Sequence, residues 1–166
     1  MTHPGRGPSL FRDEQPARYL VDTSAWLNLN GREDSATAWA VVVALINDDR
    51  LYSPRRVVDE VVSIRTQIQP YVPKLVRCDR NDEAYLLKVG EIAYRYRRMS
   101  KPLGTRTKAD PFLVALAILD DYTVVAEESM KNRPVGKIPG VCHREEIRCW
   151  TLSKLFACEG LPATRS

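Results

Sequence analysis

The chain has 166 residues, of which 44% are hydrophobic and 28% charged, and its formal net charge is +4. This length fits one domain able to bury its own core, and no apolar run approaches the roughly 20 residues that a bilayer-spanning helix needs. The N-terminus lacks the apolar core of a signal peptide, so a cytoplasmic location and no membrane contact are expected.

Residues 1–17 carry Pro4, Gly5, Gly7, Pro8 and Pro16 and read as a flexible tail before a domain over 18–157. The apolar run Tyr19-Leu20-Val21 predicts a short strand over 18–23, closed by Asp22-Thr23-Ser24. Trp26-Leu27-Asn28-Leu29 then predicts a helical turn. Asp34-Ser35 is expected to cap a helix to about Asn47, with Trp39, Val42, Val43 and Ile46 at helical spacing. Leu51-Tyr52-Ser53 reads as a strand, after which Ser53 is expected to cap a helix with Pro54 in its first position, running to about Gln69. At about 100° per residue, Val57, Val58, Val61, Val62, Ile64 and Ile68 of that helix fall on one arc. Glu60 lies at the edge of the arc and Asp59 nearly opposite it.

Pro70 and Pro73 mark residues 70–81 as a connection. Asn81-Asp82-Glu83 opens the next helix and Arg95, Arg97 and Arg98 close it, acids first and bases last, as the helix dipole favours. A basic loop over 100–109 leads to Asp110-Pro111 and the most apolar helix, Phe112 to Leu119, whose lack of a polar face predicts burial on both sides. Thr123–Ala126 reads as a buried strand ending in Glu127-Glu128. A loop is expected over 127–141, a last strand over Ile147–Thr151, a short helix over Leu152–Phe156, and a C-terminal tail over 158–166. Strands alternating with helices predict a three-layer α/β fold with a mainly parallel central sheet.

Four acidic positions stand where these elements begin or end: Asp22, Glu60, Asp110 and the pair Glu127/Glu128. Carboxylates at strand ends and helix starts converge on the carboxyl edge of a parallel sheet, where ligands bind. Carboxylates gathered at one point repel unless a cation holds them, which points to Mg²⁺ or Mn²⁺ and to phosphate chemistry. Each position also has a plainer structural reading. Asp22 and Asp110 are good helix caps, and Glu127-Glu128 suits any acidic loop.

A basic excess completes the pattern. Residues 70–108 hold ten Lys/Arg against four Asp/Glu, a local net of +6 that leaves about −2 for the rest. Arg95, Arg97, Arg98, Lys101, Arg106 and Lys108 are candidate contacts to a sugar-phosphate backbone, and Tyr94 and Tyr96 candidate stacking groups, although packing at helical spacing is the better reading of the two tyrosines. His3 and His143 are the chain's two histidines, and neither has the sequence context of a Ser or Cys triad, which disfavours covalent catalysis. Cys78, Cys142, Cys149 and Cys158 include no C-x-x-C pair and read as reduced thiols. Cys142-His143 with Cys149 matches no common zinc spacing.

The order of these acids resembles that of the PIN-domain proteins. The matching segments are an apolar strand ending in D-x-S/T (Asp22-Thr23-Ser24), a Glu early in the helix after Ser53-Pro54 (Glu60), an acid opening an apolar helix (Lys108-Ala109-Asp110-Pro111-Phe112), and a strand leading to acids (Val124-Val125-Ala126-Glu127-Glu128). Within that family the chain is most similar to a branch with K-A-D-P-F, E-E and K-I-P-x-V-C, here Lys137-Ile138-Pro139-Gly140-Val141-Cys142, followed by Ile147-Arg148-Cys149. The match covers roughly residues 18–156. Haloacid dehalogenase phosphatases also begin with a strand ending in Asp, but they want a second Asp where this chain has Ser24.

The resemblance implies a Mg²⁺- or Mn²⁺-dependent endoribonuclease, often the toxin of a toxin–antitoxin pair, with a cognate antitoxin and a homodimer as further partners. It makes Asp22 and Asp110 direct metal ligands and has Glu60 act directly or through water. It places Glu128 in the acidic ring, with Ser24 and Glu127 supporting it. The alternatives are a nucleic-acid-binding or interaction module without turnover, and a DNA nuclease or phosphatase using the same acids.

Overall fold

The computed structural model describes residues 16–96, 110–128 and 137–160. Four strands form one sheet in the order β2-β1-β3-β4, every neighbouring pair parallel: β1 (Tyr19–Val21), β2 (Leu51–Tyr52), β3 (Thr123–Val125) and β4 (Cys149–Trp150). The register sets Leu20 beside Tyr52 on one side and Val124 on the other. All residues of β1 and β3 are buried, so the two central strands are covered on both faces, as their unbroken apolar runs predict. The α/β architecture with a parallel sheet flanked by helices is the expected one.

Helices fill the crossovers that parallel strands require. Between β1 and β2 lie α1 (Thr23–Asn30) and α2 (Ser35–Asn47). Between β2 and β3 lie α3 (Arg55–Glu60), α4 (Arg65–Ile68), α5 (Val72–Leu75), α6 (Glu83–Arg95) and α7 (Asp110–Asp120), and between β3 and β4 lies α8 (Ile138–Arg144). The helix α9 (Leu152–Cys158) follows β4. By the right-handed rule for parallel crossovers, the leftward connection from β1 to β2 and the rightward connections belong on opposite faces of the sheet. The apolar helix α7 is the central element of the second group: Leu113, Val114, Ala115 and Leu116 are fully buried.

Several local expectations need correction. The helix after Pro54 does not reach Gln69. It stops at Glu60, with Val61 at ψ 74°, and resumes as the short α4. Pro54 is the residue before the helix, and Ser53 does not cap it. The Ser53 hydroxyl is buried, donating to the Val21 carbonyl at 2.9 Å and accepting from Trp26 Nε1 at 3.0 Å. A buried indole N–H needs an acceptor, and this tertiary demand outweighs a local cap. Asp34 does precede α2, but its carboxylate pairs with Arg32 at 2.7 Å instead of capping.

The connection over 70–81 contains helical turns at Gln69–Tyr71, Val72–Leu75 and Val76–Cys78, with Pro70 and Pro73 early in the first two, where a missing N–H is harmless. The region 127–141 is not loop throughout: α8 begins at Ile138, again with proline in its first turn, and buries Val141 and Cys142. Cys142 therefore lies on a helix, and Cys149 is the cysteine of the last strand.

Other expectations match. Asp82 caps α6 by accepting from the Tyr85 amide at 3.1 Å. Tyr96 is buried and its hydroxyl donates to Glu145 at 2.5 Å, a packing role, whereas Tyr94 is 72% exposed. Near the C-terminus, Glu159 accepts from Tyr19 Oη at 2.5 Å and pairs with Arg50 at 2.5 Å, so the end of α9 is fastened to β1 and to the residue before β2. No helix among the described residues is long and apolar enough to cross a membrane.

Candidate functional site

Strand order fixes where a site forms. From β1 the chain crosses toward β2, and from β3 toward β4, so the segments leaving these two adjacent strands diverge at their carboxyl ends. Such a switch point leaves a crevice, the usual ligand position in open parallel sheets. Asp22 directly follows β1, and Glu127 and Glu128 follow the register pair Val21/Val125 by two and three residues.

Asp22 is the N-cap of α1 and is only 4% exposed. Its Oδ2 accepts from the Ser24 amide at 3.1 Å and from the Ser24 hydroxyl at 2.6 Å. Burial nevertheless raises its pKa, and these hydrogen bonds offset that only in part. Ser24 Oγ also accepts from the Glu127 amide at 3.0 Å, so one hydroxyl joins the ends of β1 and β3. Ser24, expected to support Asp22, thus bonds both the Asp22 carboxylate and the Glu127 amide. Ser24→Ala leaves the Glu127 N–H and an Asp22 oxygen without that partner, and is expected to cost about 1–3 kcal/mol, read as a lower melting temperature, with Ser24→Thr retaining most of the stability.

Glu60 is the last residue of α3, half-buried, with Oε2 accepting from Thr23 Oγ1 at 2.7 Å. Its pKa is raised first by burial and then by the Asp22 charge, against the Thr23 bond. Thr23 was not singled out from the sequence. The signal that could have found it is a second hydroxyl beside the strand-end Asp. The break after Glu60 also matters, since its carboxylate meets the start of α1 from a helix end.

The two glutamates after β3 separate by partner. Glu127 Oε1 accepts from the Leu152 amide at 2.6 Å and so holds the first residue of α9. Glu128 Oε2 accepts from the Ile138 amide at 3.0 Å, and Oε1 lies 4.0 Å from Lys137 Nζ. Burial raises the Glu128 pKa, the Ile138 bond opposes this, and the Asp22 charge adds to the rise.

Asp22 thus lies near enough for its charge to add to the raised pKa of both Glu60 and Glu128. No described Lys, Arg or His forms an ion pair with Asp22 or Glu60. Carboxylates raised by burial and by each other, with little cationic compensation, are a donor set suited to a hard divalent cation. Among the described residues, no three His, Cys, Asp or Glu side chains come close enough to hold an ion by themselves. The backbone of Asp110 opens α7 as expected, and its side chain lies outside the described residues.

A family model for a domain of unknown function, DUF4411, matches residues 19–162 and so spans every acid named above. The chain belongs to the DUF4411 family. No curated protein matches it.

Of the basic candidates in this DUF4411 domain, Arg95 is among the described residues. Arg97, Arg98, Lys101, Arg106 and Lys108 lie outside the described residues. Arg95 is engaged by Glu91 and by Glu145, the latter at 2.5 Å. Glu145 ends α8, whereas Glu128 binds its first residue, and a seven-residue helix is about 10 Å long. Arg95 is thus held at the far end of α8 from the acids. A small hollow of about 150 Å³ near that end, lined by Asp121, Tyr122, Glu145, Glu146 and Arg148 among others, is separate from the switch point.

Proposed function

We propose that this DUF4411 protein is a PIN-like, Mg²⁺- or Mn²⁺-dependent endoribonuclease that hydrolyses RNA phosphodiester bonds at the carboxyl edge of its sheet. One observation carries the reading: Asp22 and Glu128 leave adjacent parallel strands at the switch point, and Thr23, the residue after Asp22, holds the Glu60 carboxylate there at 2.7 Å. The order of acids shared with PIN domains adds RNA as the substrate class and Asp110 as the fourth member.

In this reading Asp22, Glu60, Glu128 and Asp110 would hold the metal. The ion would supply an acidified water as nucleophile and charge stabilisation at the scissile phosphate. The protein's part is placement. Ser24 fixes the Asp22 oxygen that it bonds, Thr23 fixes Glu60, and the Ile138 amide fixes Glu128. Asp22, almost wholly buried, is itself shielded from bulk water, which would strengthen its hold on a cation. No side-chain nucleophile is needed.

The test is cleavage of a mixed, labelled RNA pool by partner-free protein in Mn²⁺, in Mg²⁺ and in EDTA, alongside single- and double-stranded DNA. Metal-dependent cutting of RNA, absent in EDTA, is the expected result. Cutting of DNA alone would reassign the polymer, and no cutting by folded protein that binds Mn²⁺ would leave a binding module as the better reading.

A further inference from the structure

Lys137 stands out once the acids are placed. Among the ion pairs of the described residues, it supplies the cation that meets this acidic group, with Nζ 4.0 Å from Glu128 Oε1. That distance lets it feel the carboxylate charge but is too long for a direct hydrogen bond. Its side chain is 52% exposed while Glu128 is 24% exposed, so the ammonium sits on the solvent side of the acid, at the rim of the site. A pair this loose and this wet contributes almost nothing to folding stability. Its backbone, in contrast, is fixed: Lys137 directly precedes Ile138, whose amide holds Glu128, and its own carbonyl accepts from the Val141 amide at 3.0 Å. A flexible four-carbon stem on a fixed backbone, beside a carboxylate proposed to hold a metal, is suited to reach an anion that arrives there.

Resting on the nuclease reading above, we infer that Lys137 has two partners in turn. In the metal-free protein it partly neutralises Glu128. With Glu128 engaged by a divalent cation, the Lys137 ammonium would be free to contact an RNA phosphate at the rim. Lys137 is thus a substrate-binding residue that competes with the metal and cooperates with the RNA. It differs from Arg95, whose guanidinium is already engaged by two glutamates away from the site.

The two roles predict changes of opposite sign in one variant. Lys137→Gln removes a positive charge about 4 Å from a metal ligand, so Mn²⁺ binding followed by titration calorimetry is expected to tighten by about two- to five-fold. The same variant should raise the KM for RNA by about five- to ten-fold, with a smaller change in kcat, and lower the log–log salt slope of RNA binding by about one. Lys137→Arg should restore the RNA terms. A role confined to holding Glu128 would weaken Mn²⁺ binding instead, and that result, or no change in either affinity, overturns the inference while the wild-type nuclease reading stands. If wild type binds no Mn²⁺ in a manner sensitive to Asp22→Asn, the site reading itself fails and the role of Lys137 with it.

Discussion

Asp22→Asn is expected to lower metal-dependent RNA cleavage by at least about 10²–10³-fold, the scale on which loss of one preorganised charge-stabilising group is felt. The same substitution is expected to stabilise the metal-free fold by about 1–2 kcal/mol, because sites built for function commonly cost stability. The physical reason is the burial of Asp22, which raises its pKa above the ordinary carboxylate value. Asn keeps an acceptor for the Ser24 amide and hydroxyl and carries no charge.

The pH dependence follows from the sign of that shift. A carboxyl whose folded pKa is raised holds its proton more tightly when folded. Its contribution to stability is full below the unfolded value and is lost as pH rises through the folded value. In EDTA, the melting-temperature advantage of Asp22→Asn over wild type should therefore shrink as pH falls from 8 toward 4. Saturating Mn²⁺ should reverse the order by stabilising wild type alone, since a ligand that binds only the folded state raises its stability. Melting curves on the two proteins across this pH range, with and without Mn²⁺, check the prediction. A wild type that is the more stable protein in EDTA at pH 8 would show that the charge of Asp22 is already compensated within the chain.

Leu113→Ala should be the most damaging of the simple core truncations near the site. Leu113 is fully buried on α7, one turn after Asp110, with Val114 and Leu116 equally buried beside it. Truncation loses the transfer free energy of the side chain and leaves a cavity, together about 3 kcal/mol out of a typical 5–15. For a domain of this size that corresponds to about 6–12 °C in melting temperature. Leu113→Met, which conserves volume, should cost less than about 1.5 kcal/mol. Chemical denaturation of the three proteins measures this directly. An equal loss in the Met and Ala variants would mean that shape, not cavity formation, sets the cost at this position.

What the sequence makes legible here is what period and punctuation encode. The unbroken apolar runs at Tyr19–Val21 and Thr123–Val125 announce strands buried on both faces, and the helical segments between them announce parallel crossovers. Asp82 is legible as a cap because its own amide neighbours satisfy it. The local rules fail at Ser53 and Asp34. Their side chains answer partners that are distant in sequence or stronger than a cap, namely the Trp26 indole and the Arg32 guanidinium. The rules fail again at Ile138–Arg144, where Pro139 and Gly140 read as loop residues although proline fits a first helical turn.

The candidate site divides in the same way. By itself the sequence determined the acid types and their order, the strand end that carries Asp22, and the helix start that carries Asp110, because all of these are properties of neighbouring residues. Only the tertiary structure decided which acids act on each other. Glu60 comes beside Asp22 through its hydrogen bond from Thr23, and Glu128 through the pairing of β1 with β3. It also gave Glu127 to the start of α9, Glu128 to the start of α8, and Lys137 a place at the rim. The reason is that hydrogen bonds and charge act over a few ångströms, and in a parallel sheet those ångströms separate residues dozens of positions apart.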